Sequence, residues 1–217
     1  MIEKRQIKKS MKNKDGKTLV IINISYPQYS GTDEGEKESK CRKRFNANYE
    51  KLASSFCSFA ETKQLNDAGQ YFANDGFKPF GCVMNCFVAY EDEAYISVTV
   101  DVTVRSGNRT DKKRFAQNWD KKNGVLCSYH DVFGKTDRKQ VIKALCDDAE
   151  RRMERKVDTY YSDYKKRIKK FFNRNEFCIT PSGYGFIFPS GALNDKNAPV
   201  TLILQKELFS PEKDTGI

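Results

Sequence analysis

The chain has 217 residues, a hydrophobic fraction of 38%, an aromatic fraction of 12% and a formal net charge of +10. This composition supports a folded core and argues against a disordered chain. The apolar run at residues 19–22 is much shorter than a signal-peptide core or a membrane span, so we predict a soluble, cytoplasmic protein with no membrane span.

The N-terminal part is predicted to contain one strand and one long helix. Residues 1–17 are lysine-rich and predict a disordered basic leader, and a strand is expected to begin at Thr18. The polar residues 32–40 connect it to a helix with apolar residues at spacings of four and three, namely Phe45, Tyr49, Leu52, Phe56 and Phe59. We expect this stripe to pack on the sheet, and the helix to break near Gly69.

The central part predicts a sheet built from hairpins. Apolar side chains alternate with polar ones along residues 95–105, and one face carries Ile96, Val98, Val100, Val102 and Val104. Residues 82–90 precede this strand across an acidic turn, which is typical of an antiparallel hairpin. Residues 105–109 favour another reversal, and a third strand with Trp119 turns again into residues 125–129.

The C-terminal part predicts two helices followed by three short strands. Thr136 or Asp137 is a suitable N-cap for a helix whose inner residues are Ile142, Leu145, Ala149 and Met153. A second helix is expected to bury Tyr161, Tyr164, Ile168 and Phe171. Strands are predicted at 177–180, 184–188 and 200–204, with a tail at 210–217.

These elements together predict an α+β fold, in which helices pack on a mostly antiparallel sheet. The strand at residues 95–105 should lie at the centre of that sheet. We expect a single unit over residues 18–209, with a division into two subdomains near residue 92 as the alternative.

The sequence carries little catalytic equipment. Its single histidine, His130, lies beside Asp131 in SYHDVF, and no GxSxG elbow frames a serine. A histidine that bonds locally explains this better than a hydrolase, which we keep as the weaker alternative. Asp147 and Asp148 are interpreted as solvated helix residues. Glycine-rich phosphate-binding loops are missing, so we predict no enzyme activity and no cofactor.

The cysteines do not predict a metal site. There are seven, an odd number, and no CxxC pair occurs. Cys82 and Cys86 are the closest pair and would supply only two zinc ligands. We therefore predict free thiols in a reducing compartment.

The positive charge is concentrated in two segments. Residues 1–17 hold seven basic and two acidic residues, and residues 151–174 hold ten basic and three acidic residues. Such segments attract nucleic acids, although a charged run on a helix is more often its solvated face. Nonspecific and weak nucleic-acid binding is therefore an alternative function.

Four sequence segments resemble one bacterial domain family. They are ISYPQYSG, RFAQNWDKKNGVLCSYHDVF, YYSDYKKRIKKFF and NEFCITPSGYGFIFP, and the second contains Trp119, Asp120, Gly124, Asp131 and Phe133. The chain resembles the poorly characterised DUF4163/DUF3298 type, found in the extracellular part of lysozyme-sensing anti-sigma factors and ahead of some peptidoglycan deacetylases. This resemblance implies an α+β fold. The two loops most suited to recognition depart from the family pattern, so the resemblance implies no particular ligand.

We predict a non-enzymatic binding or protein-interaction module whose ligand is a protein or a glycan. Recognition most often lies on loops held by a rigid sheet. The candidate surface combines the turn at residues 105–110 with the loop at residues 190–199. Its candidate residues are Arg105, Ser106, Asn108, Arg109, Asn194 and Asp195.

Overall fold

The computed structural model describes residues 1–30, 40–73 and 76–206. The predicted connector, over its residues 32–39, and the predicted tail at 210–217 lie outside these residues. The strands are β1 (Ile2–Lys12), β2 (Thr18–Tyr29), β3 (Phe80–Glu91), β4 (Tyr95–Ser106), β5 (Arg109–Asp120), β6 (Val125–Leu126), β7 (Phe177–Thr180), β8 (Gly183–Phe188) and β9 (Val200–Gln205). The helices are α1 (Lys40–Phe59), α2 (Leu65–Tyr71), α3 (Tyr129–Phe133), α4 (Arg138–Glu154) and α5 (Tyr164–Phe171), with a π-helical segment at Ala60–Gln64 between α1 and α2.

The strands form two sheets, which confirms the predicted α+β fold. The first sheet has the order β1-β2-β3-β4-β5-β6, and the second has the order β7-β8-β9. β1 and β2 are antiparallel, whereas β2 and β3 are parallel and are connected through α1 and α2. The second sheet is antiparallel throughout. No helix in the described parts of the chain is long and apolar enough to cross a membrane.

The chain forms two compact units that alternate along the sequence. Unit 1 comprises residues 1–88, 99–114 and 120–125, and unit 2 comprises residues 89–98, 115–119 and 126 onward. The chain therefore does not divide at a single point near residue 92. Strands β3, β4 and β5 each contribute residues to both units.

The predicted disordered leader is wrong over most of its length, because residues 2–12 form strand β1. This strand pairs with β2 in a continuous register from Ile2↔Tyr29 to Met11↔Val20. Most of its side chains are exposed on both faces, so no hydrophobic alternation marks it in the sequence. Its lysines suit an edge strand, because charged side chains discourage pairing with another chain.

Helix α1 packs on β2 in unit 1, but its buried stripe differs from the predicted one. Phe45 and Tyr49 are fully buried, as expected. The stripe then continues through Ala53 and Cys57, whereas the larger predicted residues of that part, Leu52, Phe56 and Phe59, are only half-buried. Small side chains allow a close approach of the helix. The sequence predicts a helix break near Gly69. The departure from α-helical geometry lies instead in the π-helical segment at Ala60–Gln64, directly after α1.

Strand β4 lies inside the first sheet, as its alternating pattern predicts. Ile96, Val98 and Val100 are fully buried. Val102 and Val104 are half-buried, because burial decreases toward the end of the strand. Ser97, predicted to lie on the polar face, is also fully buried.

Unit 2 contains the second sheet and helices α3, α4 and α5. The predicted strand at residues 125–129 is wrong beyond residue 126, because Ser128 caps helix α3 and forms a capping box with Asp131. Asp137 caps α4, as predicted. The core of this unit is rich in aromatic residues, which include Phe133, Phe177, Phe186 and Phe188.

Candidate ligand-binding site

The turn between β4 and β5 is held firmly in unit 1. Its two central residues are Gly107 and Asn108, and Gly107 has a φ of +61°, the first position that a type II′ turn reserves for glycine. The Ser106 hydroxyl donates to Oε1 of the buried Gln64 at 2.8 Å. Arg105 donates to the carbonyl oxygen of Pro79 at 3.3 Å. The Ser106 hydroxyl and the Arg105 guanidinium thus both hold the turn in place.

Aromatic rings line the surface beside this turn. The ring centroids of Tyr71 and Phe80 are 6.0 Å apart, and those of Phe77 and Phe80 are 6.2 Å apart. Phe80 is buried, whereas Tyr71 remains 56% exposed. An exposed tyrosine supported by the buried Phe80 ring presents a large apolar surface with little loss of side-chain freedom on binding.

The turn and the rings together form an open groove of about 410 Å³. Two of its lining residues, Lys78 and Arg109, carry positive charge, and no carboxylate occurs among the described residues that line it. Arg109 pairs with Asp111 at 3.0 Å, but its side chain is 79% exposed, so this ion pair is weak. The groove therefore combines an aromatic wall with a positive rim.

The predicted site residues divide between the two units. Ser106, Asn108 and Arg109 line the groove of unit 1, and Arg105 supports it. The loop at 190–199 belongs to unit 2. There Asn194 is only 3% exposed, and its Oδ1 accepts a hydrogen bond from the Lys196 backbone, so its role is structural. Asp195 is exposed.

The groove also contains three lining residues that the sequence pattern does not predict, namely Tyr71, Phe77 and Lys78. The sequence predicts the end of a helix in this stretch, and helix α2 does end at Tyr71. The signal in the sequence is the density of aromatic residues around Gly76 and Pro79, which follow the helix. Rings that follow a helix end have no helical stripe to join, and here they line a groove instead.

His130 and Asp131 serve local structure. The Nδ1 atom of His130 lies 2.9 Å from the carbonyl oxygen of Gly134. Asp131 accepts hydrogen bonds from the backbone and the hydroxyl of Ser128, and the backbone bond is the main cause that lowers its pKa. The carboxylate is thus engaged in capping α3, and the pair does not form a proton relay. Within the described residues, no group of three potential metal ligands occurs.

Asp148 is not the solvated helix residue that the sequence predicts. It is only 9% exposed, and its carboxylate accepts a hydrogen bond from the Ile203 backbone at 2.9 Å. Arg152 pairs with the same carboxylate at 2.9 Å. A buried carboxylate with these partners joins α4 to β9, because it satisfies a backbone donor of the strand and is neutralised by its own helix.

The basic face of α5 does not present rings for base stacking. The Arg167 guanidinium covers the Tyr161 ring at 4.1 Å and also pairs with Asp163 at 2.7 Å. Tyr164 is buried, and Lys165 pairs with Glu150 at 3.4 Å. Single-strand binders use exposed aromatic platforms, whereas here the ring of Tyr161, which precedes α5, is covered and that of Tyr164 is buried.

The segment around Trp119 has a clear structural role. Trp119 is buried, and the next residue, Asp120, accepts hydrogen bonds from Asn123 that lower its pKa, the backbone bond most of all. Gly124 follows with a φ of +62°, and its carbonyl oxygen accepts a hydrogen bond from Arg44 at 3.1 Å. The motif that carries the family resemblance is therefore a tight turn that contacts α1.

The two sheets and their helices define an α+β fold that solved structures of the DUF3298 family share. One, from Bacteroides fragilis NCTC 9343, has a TM-score of 0.65 at 10% identity, over 96% of this chain and 91% of that chain. Another, from Pseudomonas aeruginosa PAO1, has a TM-score of 0.58 at 12% identity, over 96% of this chain and 92% of that chain.

These identities show the fold alone. The fold agrees with the family resemblance noted in the sequence, and both solved structures are described only as members of that family of unknown function. Comparison with family models found no match, and comparison with curated proteins found none either.

Proposed function

We propose that this protein is a non-enzymatic binding module whose groove in unit 1 holds a segment of a partner protein. The observation that carries this proposal is the exposed Tyr71 ring beside the positive rim of Lys78 and Arg109. Tyrosine and arginine are the residues that most often dominate the energy of protein interfaces.

The chemistry of the groove specifies the partner segment. Its aromatic wall accommodates an aromatic or aliphatic side chain, and its rim favours a carboxylate next to that side chain. Asn108 adds an exposed amide that is able to pair with a peptide backbone. The partner is therefore a protein segment with an acidic residue adjacent to an apolar one.

The rigidity of the turn supports the same function. Ser106 and Arg105 are bonded to Gln64 and Pro79, so the turn has little freedom to lose when a ligand binds. No comparable arrangement for chemistry is present at the groove, since its lining contains neither a histidine nor a cysteine nor a carboxylate among the described residues.

Selection from a random peptide library tests the proposal. We expect the purified protein to enrich peptides that place Asp or Glu next to an aromatic or aliphatic residue. The variant Lys78→Glu should lose these peptides, whereas Lys51→Glu should retain them, because Lys51 is an exposed lysine on the outer part of α1. Enrichment that is equal in both variants would contradict the proposal. Selective binding of oligosaccharides in a parallel array would indicate a glycan ligand instead.

A further inference from the structure

A second pocket, of about 400 Å³, lies in unit 2 beside α3. Its lining residues belong to a different unit from those of the groove described above, and to a different part of the sequence. Its lining consists of Ser128, Tyr129, His130, Gly134, Lys135, Thr136, Arg174 and Asn175. Residues that cap α3 thus meet two residues that precede β7.

Tyr129 lines this pocket, and its hydroxyl is an unsatisfied donor. Tyr129 is only 8% exposed, and its buried hydroxyl has no hydrogen-bond partner. Burial raises the pKa of this phenol, so the hydroxyl keeps its proton and remains available to donate. Buried polar groups nearly always have a partner, so an unsatisfied one at a pocket points to a missing acceptor.

Two positive side chains accompany this hydroxyl. The Arg174 guanidinium lies 6.0 Å from the centre of the Tyr129 ring. Among the described residues, neither Arg174 nor Lys135 forms an ion pair with a carboxylate. The adjacent capping carboxylates are occupied, since Asp131 accepts from Ser128 and Asp137 accepts from the Lys139 backbone.

The remaining polar groups of the lining are compatible with an acceptor ligand. His130 also lines the pocket, and its Nδ1 contacts the Gly134 carbonyl oxygen. Glu176, next to Asn175, has a buried oxygen without a partner, and burial raises its pKa, which favours its uncharged form. The lining of the pocket therefore contains two positive side chains, Lys135 and Arg174, and no carboxylate among the described residues.

We propose that this pocket binds the oxyanion group, phosphate or carboxylate, of a small ligand. Arg174 and Lys135 supply the positive charge, and the Tyr129 hydroxyl donates a hydrogen bond to the anion. Guanidinium matches the geometry of both groups because its N–H donors are arranged as a planar fork.

Titrations with inorganic phosphate and with acetate test this site. Each anion is added at an ionic strength matched with sodium chloride, and binding is followed by the NMR signals of His130, the one histidine of the sequence. At least one anion should shift these signals saturably. Saturation by phosphate alone identifies a phosphate ligand, and saturation by acetate alone identifies a carboxylate ligand.

Three variants connect the binding to the proposed residues. Arg174→Gln and Lys135→Gln should each weaken the anion by roughly tenfold or more, since charge-assisted bonds are lost. Lys143→Gln removes the same charge from an exposed part of α4 and should bind like the parent. Tyr129→Phe should retain the fold and weaken binding severalfold. The proposal is overturned if neither anion gives a saturable shift, or if Arg174→Gln binds as tightly as the parent.

Discussion

The hydroxyl of Ser97 donates to Oδ1 of Asn118 at 2.7 Å, and both side chains are buried in unit 2. Asn118 also donates through Nδ2 to the carbonyl oxygen of Phe177 at 2.8 Å. The backbone N–H of Ile179 reaches both Ser97 Oγ at 3.0 Å and Asn118 Oδ1 at 3.1 Å. Two side chains of β4 and β5 therefore satisfy backbone groups of β7.

Removing Asn118 should cost more stability than removing Ser97. Asn118→Ala leaves the Phe177 carbonyl oxygen unpaired and takes one acceptor from Ile179, so we expect a loss of about 3 kcal/mol, since each buried unsatisfied group costs ~1–3 kcal/mol. Ser97→Ala should cost about 1 kcal/mol, because Ile179 keeps Asn118 as acceptor. Urea denaturation measures both.

Asn108→Ala is the matched control, since this asparagine is exposed on the turn and should change stability by less than about 0.5 kcal/mol. Equal losses from Asn118→Ala and Asn108→Ala would show that the buried network contributes nothing to the stability of the unit.

The Ser97 network also shows where local sequence patterns stop being informative. Alternation along β4 correctly predicts that Ile96, Val98 and Val100 are buried. It places Ser97 on the solvent side, because the pattern contains no information on β7, which lies about eighty residues later and bonds to that side chain. Hydrogen bonds between distant segments depend on residues that lie outside a local alternation pattern.

Strand β1 illustrates a different limit. Its order comes from backbone pairing with β2, and backbone hydrogen bonds leave no trace in side-chain hydrophobicity. For the candidate site, the turn residues Ser106, Asn108 and Arg109 were predictable from the glycine and asparagine of the turn. The aromatic wall at Tyr71 and Phe77 was not, because the chain reaches it through a π-helical segment and a helix end.

Gly124 should be the least replaceable turn glycine of unit 1. Its φ is +62°, and an added Cβ would lie 2.8 Å from Cα of Cys41 in α1. Gly107 has a similar φ of +61° but has nothing within 4 Å of an added Cβ. Gly107→Ala should therefore cost about 1 kcal/mol for the backbone conformation alone, whereas Gly124→Ala should cost ~2–4 kcal/mol.

A comparison of these two variants separates the cost of steric contact from the cost of backbone strain, because both glycines have left-handed conformations. Thermal and urea denaturation of the two variants give the comparison. Indistinguishable losses would mean that α1 moves away from the turn at no cost, contrary to the close contact observed.

The stability of unit 1 should decline in alkali because of its buried thiols. Burial raises the pKa of Cys82 from 9.0 to about 11, and burial with the nearby Asp101 charge raises that of Cys86 to about 12. An acid whose folded pKa is raised contributes stability below its unfolded pKa, and this stability is lost as the pH rises through the folded pKa. Each thiol then lowers the free energy of unfolding by up to ~1.4 kcal/mol per pH unit above pH 9.

The double variant Cys82→Ala and Cys86→Ala tests this slope. Its stability at neutral pH is expected to be lower, because the side chains are smaller, but its decline between pH 9 and pH 11 should be shallower than that of the parent. Parallel curves from urea denaturation at several pH values would assign the alkaline decline to other groups.

Association with nucleic acid should be weak, indifferent to sequence and steeply dependent on salt. The rings of Tyr161 and Tyr164 are covered or buried, so phosphate contacts by lysines are the main attraction, and these release counterions. Fluorescence anisotropy at low and physiological salt measures this, with Lys166→Gln and Lys169→Gln expected to reduce the salt slope. Tight binding at physiological salt that distinguishes sequences would make nucleic-acid recognition the function.

The most direct test of the binding groove is a charge exchange between the protein and a selected peptide. We expect Lys78→Glu to weaken the binding of a peptide with an acidic residue by about tenfold, and we expect replacement of this acidic residue by lysine to restore binding to the variant. Isothermal titration calorimetry of the four combinations gives the coupling energy, and Tyr71→Ser should weaken every combination. If the lysine peptide binds Lys78→Glu no better than it binds the parent, the groove is not where the partner segment docks.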